Sequence, residues 1–223
     1  MTERTEHMKN LLYKEFLLAA HPTSFLFLAF GFMLLIPSYP FYVAFFYPCL
    51  AVFFVFLGGR ENKDIFYTVS LPLKKSDAVK ARCGMIAVLQ LMQIILSVPF
   101  ALLRGVLPGM TENDAGIEAN VAFFGLAFMF LSVFNRIFIP RFYKTAYKAG
   151  IPFVLASIGM TVFFILAEMM IWIPSPISSY LDTTEPSAQI KQLPVLVAGI
   201  AVWAAGMAVT YRRASANFEK VDL

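Results

Sequence analysis

The sequence predicts an all-α integral membrane fold: six transmembrane helices, an N-terminal interfacial helix, and both termini in the cytoplasm. Three observations point there. Of 223 residues, 59% are hydrophobic and 14% are charged, whereas a typical soluble domain has about 25% charged residues. A soluble chain of this length could not bury so much apolar surface, because folded domains of this size leave a large share of it wet. The apolar residues also gather into six stretches, each near the roughly 20 residues that a spanning helix needs. Finally, 16 of the 18 Lys and Arg residues fall on one side of the topology these stretches imply, leaving Arg104 and Lys191 for the other. Lys and Arg are enriched in cytoplasmic loops. The net charge of +4 therefore records topology, and no nucleic-acid partner is expected.

In chain order, Met8 to Ala20 reads as a helix rich in Leu and Phe. Its polar residues Lys9, Asn10, Lys14 and Glu15 do not gather on one face. An interfacial helix with snorkelling Lys side chains fits this pattern; a cytoplasmic extension of the first span is the other reading. The first span runs from Pro22, suited to a first helical turn, to Ser38. Pro37-Ser38-Tyr39-Pro40 then forms an outer turn, and Phe41 to Gly59 is the second span. A charged inner segment covers Arg60 to Arg82, with Ser76 or Asp77 as the helix cap before the third span. That span is Cys83 to Leu103. An outer loop carrying Glu112, Asp114 and Glu118 leads to the fourth, Asn120 to Ile139, ending at Pro140. After the inner loop Arg141 to Gly150, the fifth runs from Ile151 to Ile173. The outer loop Ser175 to Gln192 precedes the sixth, Leu193 to Tyr211, stopped by Arg212 and Arg213. The whole of 1–223 reads as one transmembrane domain, with 8–20 interfacial and 60–82 a cytoplasmic loop. The scattered charges among the first 20 residues predict no cleaved leader. Cys49 and Cys83 are expected at different depths, giving neither a disulfide nor a zinc site.

Few residues inside the spans could carry chemistry. Glu168 is the one acidic residue deep in a span, and an intramembrane carboxylate is a functional candidate. It sits close enough to Pro174 to reach the outer interface or to pair with Lys191 or Arg104. Gln90 and Gln93 share a face of the third span, with Ser97 one turn on; they either bond neighbouring helices or line a polar path. Asn135 and Arg136 are expected to snorkel to the inner face. In the sixth span, Ala201 with Ala205 and Ala204 with Ala208 form small-xxx-small pairs near Gly199, suited to close internal packing. The Phe pairs, such as Phe45-Phe46 and Phe123-Phe124, read as packing or lipid-facing residues. No H-E-x-x-H or G-x-S-x-G motif occurs, and His7 and His21 lie far from any carboxylate cluster. No enzyme, catalytic residue or metal site is expected.

The segment from Arg60 to Arg82 is the most informative local feature. Asp64 to Val69 can form a short helix presenting Ile65, Phe66 and Val69, ended at Leu71-Pro72 because proline biases its predecessor away from helix. A plain amphipathic loop on the headgroups is the simpler reading. Gly59-Arg60-Glu61, then Ser70-Leu71-Pro72-Leu73-Lys74-Lys75, then Val79-Lys80-Ala81-Arg82 resemble the first cytoplasmic loop of the type-2 permease family of ATP-binding-cassette (ABC) transporters. The chain departs from that pattern in having Cys83 after Arg82, where an aromatic often follows. The resemblance implies a coupling helix that docks on an ATPase subunit through Glu61, Asp64, Phe66, Tyr67, Leu71 and Pro72. It also implies two permease subunits working with two ATPase subunits.

No G-x-x-x-x-G-K-S/T phosphate loop occurs in the chain, so no cofactor is expected here and ATP would be bound by the partner subunit. The expected function is the membrane permease subunit of an ATP-driven exporter. A substrate path would lie between paired permease subunits, with Gln90, Gln93 and Glu168 as its candidate residues. A multi-pass location in a bacterial plasma membrane is expected. The rival reading is an ATPase-independent channel or substrate-binding subunit.

Overall fold

A computed structural model describes residues 2–71, 73–107 and 113–222. Five helices are long and apolar enough to cross a membrane: α3 (Tyr42–Glu61), α5 (Lys75–Arg104), α6 (Val121–Phe142), α7 (Gly150–Trp172) and α10 (Leu193–Glu219). The segment from Met8 to Leu35 supplies a sixth candidate crossing, bent in two; its second arm is α2 (Pro22–Leu28) with its 3₁₀ continuation Ala29–Leu35. Before it, α1 (Thr2–Lys14) runs on through a π turn, Glu15–Ala19. The two halves meet at 91°. A helix at right angles to a span lies along the membrane plane, so this angle favours the interfacial reading over a straight extension. His21 makes the corner, its ring nitrogen accepting from the Thr23 N–H at 3.3 Å as an N-cap. Three short helices complete the described residues: α4 (Asp64–Ser70), α8 (Pro176–Leu181) and α9 (Pro186–Lys191).

Several boundaries move from their expected places. Neither Ser76 nor Asp77 caps α5; Lys74 does, in extended conformation and without a side-chain cap. Both residues fall inside the first turn, where the Asp77 carboxylate favours the helix dipole. Pro140 does not end α6, which runs two residues further to Phe142. The Asn217 amide donates to the Pro140 carbonyl at 2.7 Å. Arg212 and Arg213 mark a polarity boundary and do not stop α10, which continues to Glu219 and buries Phe218 against Tyr143.

The bundle has a basic end and an acidic end. The α1 helix, the C-terminal end of the last helix, α4 and the α6–α7 connection lie at the basic end, tied by contacts such as Lys75 Nζ to the Val221 carbonyl at 2.7 Å. At the centre stands α6, 78% buried over its most apolar stretch against 22% for α7 and α10. Its aromatic side chains fill the core: Phe123, Phe134, Phe138 and Phe142 are fully buried, with Phe56 of α3 set edge-on to Phe142 at 4.5 Å. Edge-to-face pairs of this kind add about 0.5–1.5 kcal/mol each beyond burial.

The closest helix contact is α6 against α10. A Cβ on Gly199 would collide with the backbone of Gly125, and one on Gly125 with that of Val195. Small residues let spanning helices approach to backbone contact, which drives association where no hydrophobic force separates protein from lipid. The alanines expected to serve here do not: Ala201, Ala204, Ala205 and Ala208 are exposed on the opposite face of α10. Gly199→Ala should destabilise the bundle by about 1–3 kcal/mol through overpacking. Gly150→Ala, with open space around its Cβ position, should leave the Tm unchanged. Equal melting of both variants in detergent would mean that α6 and α10 are not in backbone contact.

Candidate functional site

At the basic end α4 projects between α3 and α5. It starts after Lys63, held in the left-handed region at φ 53°, a conformation that costs a non-glycine residue about 1–2 kcal/mol. Its last turn gives way to Leu71 in extended backbone, as a following proline demands. Thr68 is buried, and Ile65 and Val69 pack on the core. Ile65 and Val69 are thus turned inward, not presented beside Phe66. The outward face carries Phe66 at 52% and Tyr67 at 57% exposure, an aromatic pair on the surface. Glu61 is exposed and lies 3.7 Å from Arg60, while Leu71 is half-buried. Pro72 and Glu112 lie outside the described residues.

Behind α4 lies a buried ionic cluster. Arg82 of α5 is only 4% exposed. Its Nε donates to Glu15 Oε2 and its Nη2 to Asp64 Oδ2. Lys14 Nζ stands 3.2 Å from both Glu15 Oε1 and Asp64 Oδ1 and donates to Thr68 Oγ1 at 2.8 Å. The Arg82 guanidinium also lies over the Phe56 ring at 5.4 Å. Two cations and two carboxylates therefore tie together the π turn after α1, the short helix α4 and the start of α5. Burial alone would raise the Asp64 carboxyl. The adjacent Arg82 and Lys14 charges, with their hydrogen bonds, more than offset it and hold the group below its ordinary value. Asp64 thus faces inward, away from the surface that Phe66 and Tyr67 present.

Halfway along the bundle, Gln90 and Asn135 exchange amide hydrogen bonds at 2.9 Å each way. Gln90 Oε1 also accepts from Trp203 Nε1 at 2.9 Å. This node links α5, α6 and α10, and each of its side chains is buried. Asn135 does not snorkel to the inner face, because its amide both donates to and accepts from Gln90. Gln93 is fully buried and addresses a different helix. In the orientation that satisfies both ends of its amide, it donates to the Phe27 and Leu28 carbonyls and accepts from the Gly31 N–H, all at 3.2 Å. These groups sit where α2 changes from α to 3₁₀ winding.

Glu168 belongs to a plug at the acidic end. Its Oε2 accepts from the Ile117 N–H at 3.2 Å, and Gly116 beside it has φ 149°. A Cβ on Gly116 would strike the Glu168 carboxylate, so both conformation and space require glycine there. Arg104 pairs with Glu118 at 3.6 Å and stacks on Phe41 at 4.8 Å. The Glu118 N–H donates to Asp182 Oδ1 at 2.9 Å, and the Asn120 amide to the Leu181 carbonyl at 2.7 Å. The loop from 113 to 120 is thus folded into the bundle mouth, with Ile117 1% exposed. Burial raises both Glu118 and Asp182, against the backbone N–H bonds each accepts. Gln90, Gln93 and Glu168 therefore serve three separate contacts and do not converge. Among the described residues no group of three or more His, Cys, Asp or Glu side chains is placed to hold a metal ion.

Sequence reasoning missed Glu15 and Arg82 as partners, and missed the Asn135 and Trp203 bonds to Gln90. The signal for the first was available: Lys14-Glu15 stands between the apolar runs Leu11-Leu12-Tyr13 and Phe16-Leu17-Leu18, and such a carboxylate needs a cation when buried.

Arg82→Met leaves two buried carboxylates short of their main partner and should cost about 3–5 kcal/mol. Arg82→Lys, with no planar fork, should recover only part of the lost Tm. Asp64 also sets a pH dependence. Its folded value is lowered, so its contribution is complete above the unfolded value of about 3.9 and is lost as pH falls through the folded value. Tm measured from pH 7 down to pH 3 should show Asp64→Asn less stable at neutrality and flatter on the acid limb. Parallel curves for the variant and the parent would remove Asp64 from the cluster. Glu118 and Asp182, being raised, act with the opposite sign.

A family model described as ABC-2 family transporter protein matches residues 10–212. No curated protein and no solved structure matches the chain. The matched segment takes in the bent N-terminal helix, the ionic cluster, the amide node and the acidic plug. The chain belongs to the ABC-2 family of transporter membrane proteins.

Proposed function

We propose that this permease subunit works in an ATP-driven exporter and takes its power stroke from a separate ATPase subunit docked on α4. The observation that carries this reading is the exposed Phe66–Tyr67 pair on a helix anchored from behind. Exposed aromatic side chains set in a rigid frame make the anchors of protein interfaces, and Glu61 and Leu71 flank them. The anchoring matters as much as the exposure. A push on α4 passes through Asp64 to Arg82 of α5 and through Lys14 to the interfacial helix. Two otherwise separate parts of the bundle then move with the ATPase. The surplus of Lys and Arg at the basic end favours a cytoplasmic position for α4 and both termini, where an ATPase could reach them, and the layout suits a bacterial plasma membrane.

For the substrate path we favour the groove between α3 and α7. It has a volume of about 200 Å³ and is lined by Tyr42, Phe46, Ser157, Met160, Thr161 and Phe164. What supports it over a path along Gln90 and Gln93 is that both glutamines spend their amides on neighbouring helices. The face of α7 beside this groove, including Ile158, Val162 and Ile165, is exposed, as expected of a helix that meets a second permease subunit. Glu168 lies at the outer limit of α7, where its bond to Ile117 would have to break for the mouth to open.

Coexpression with the cognate ATPase subunit tests docking. Phe66→Asp with Tyr67→Asp should cut the co-purified ATPase by more than about tenfold, while the surface variant Lys148→Gln leaves it unchanged. A complex that survives the double substitution, or a chain active with the loop replaced by a flexible linker, would favour the ATPase-independent channel.

A further inference from the structure

The interfacial helix is not packed evenly on the bundle. It rests on α5, while a groove of about 460 Å³ separates it from α10. Leu12 of α1, Gly84 of α5, and Ala204 and Ala208 of α10 form the walls. Small side chains on facing helices leave the space open. Trp203 closes the inner limit, and Lys80 and Tyr211 stand at the basic end. Between Tyr211 and Trp203 the groove extends about 12 Å along α10, at 1.5 Å per residue.

We propose that this groove holds one acyl chain of an anionic glycerophospholipid from the basic-end leaflet, with the phosphate at Lys80 and Tyr211. Three features select this occupant. The lining is apolar along its length and turns cationic only at the depth where headgroups begin. Lys80 is exposed and has no carboxylate partner among the described residues, so its charge is available to a phosphate. Further, α1 lies across the basic end of the groove at 91° to α2. A transmembrane helix of a second copy, about 10 Å wide, would run into α1. A lipid ends at that level and keeps its polar head there. The lipid would complete the wall between α1 and α10 and press on Trp203, whose indole holds the Gln90–Asn135 node. Anionic lipid would thereby brace the same N-terminal helix that carries Lys14 and Glu15.

The test is native mass spectrometry of the full chain, with any subunit that accompanies it. Equal amounts of phosphatidylglycerol and phosphatidylcholine with identical chains are added. One lysine at the surface favours the anionic lipid by about 1 kcal/mol, or about fivefold. That preference is expected in the parent, with parity in Lys80→Gln and no change in Lys148→Gln. Ala204→Phe, which fills the groove, should lose the bound lipid altogether. If it fails to fold, Lys80→Gln still reads the site, because the side chain is exposed and its loss disturbs no packing. Parity in the parent, an equal effect of Lys148→Gln, or full lipid retention in folded Ala204→Phe would each overturn the proposal. So would loss of a homodimer in Ala204→Phe, which would make the groove a seam between copies. Neither ATP nor transport enters the measurement, so it stands apart from the docking experiment.

Discussion

A guanidinium at 4% exposure has lost nearly all its water, and Arg82 recovers that loss from Glu15 and Asp64. The geometry that satisfies it is demanding, because the two carboxylates come from chain segments that no regular element joins. Bringing them together fixes the π turn after α1, the placement of α4 and the entry of α5 into the bundle. Lys14 then neutralises the remaining oxygens. The net stabilisation from such a cluster is small, since desolvation consumes most of the Coulomb gain. What it supplies is position: a seven-residue helix that could not stand alone in water is held in one orientation.

The same need recurs at two other depths with different chemistry. Midway, where charge would be costly, neutral amides join α5, α6 and α10, and an indole N–H completes the set. At the acidic end, where water is near, a loop with Asn113, Glu118 and Asn120 folds inward and is bonded to α7 and α8. The centre of the bundle, around α6, is left to aromatic packing and to glycines that bring α10 into contact. Stiff apolar contact therefore occupies the middle of the molecule, while the polar joints lie where helices must be tied to one another or to loops.

How much of this was legible in the sequence follows from what each feature depends on. The spans could be read because lipid imposes a length and a composition, and the two ends because positive charge is sorted by side. The short helix α4 could be placed from Leu71-Pro72 and the Gly59-Arg60-Glu61 lead. Helix ends were less legible: Arg212 and Pro140 punctuate polarity and hydrogen bonding, but tertiary contacts to Phe218 and Asn217 carry both helices past them. Pairings were the least legible of all. Gln90 lies 45 residues from Asn135 and Glu15 lies 67 from Arg82, and nothing local to either sequence position names its partner. The small-residue pattern of α10 was visible, but two faces carried it, and only packing against α6 chose the glycines over the alanines.

The change of winding within α2 alters how the protein meets its bilayer. Seven α-helical and seven 3₁₀ residues reach about 25 Å, where fourteen α-helical residues would reach about 21 Å. The hydrocarbon layer is about 30 Å thick, a depth that the twenty residues of α3 match. Overwinding thus recovers part of the deficit, and the remaining few ångströms would be met by thinning of the lipid or snorkelling of flanking residues, at a fraction of a kcal/mol per ångström. That adjustment would fall beside the exposed Phe25, Leu26 and Phe32, next to the corner between α1 and α2. A bilayer fitted to these lengths would therefore vary in thickness around the protein's circumference, thinnest where its first span enters.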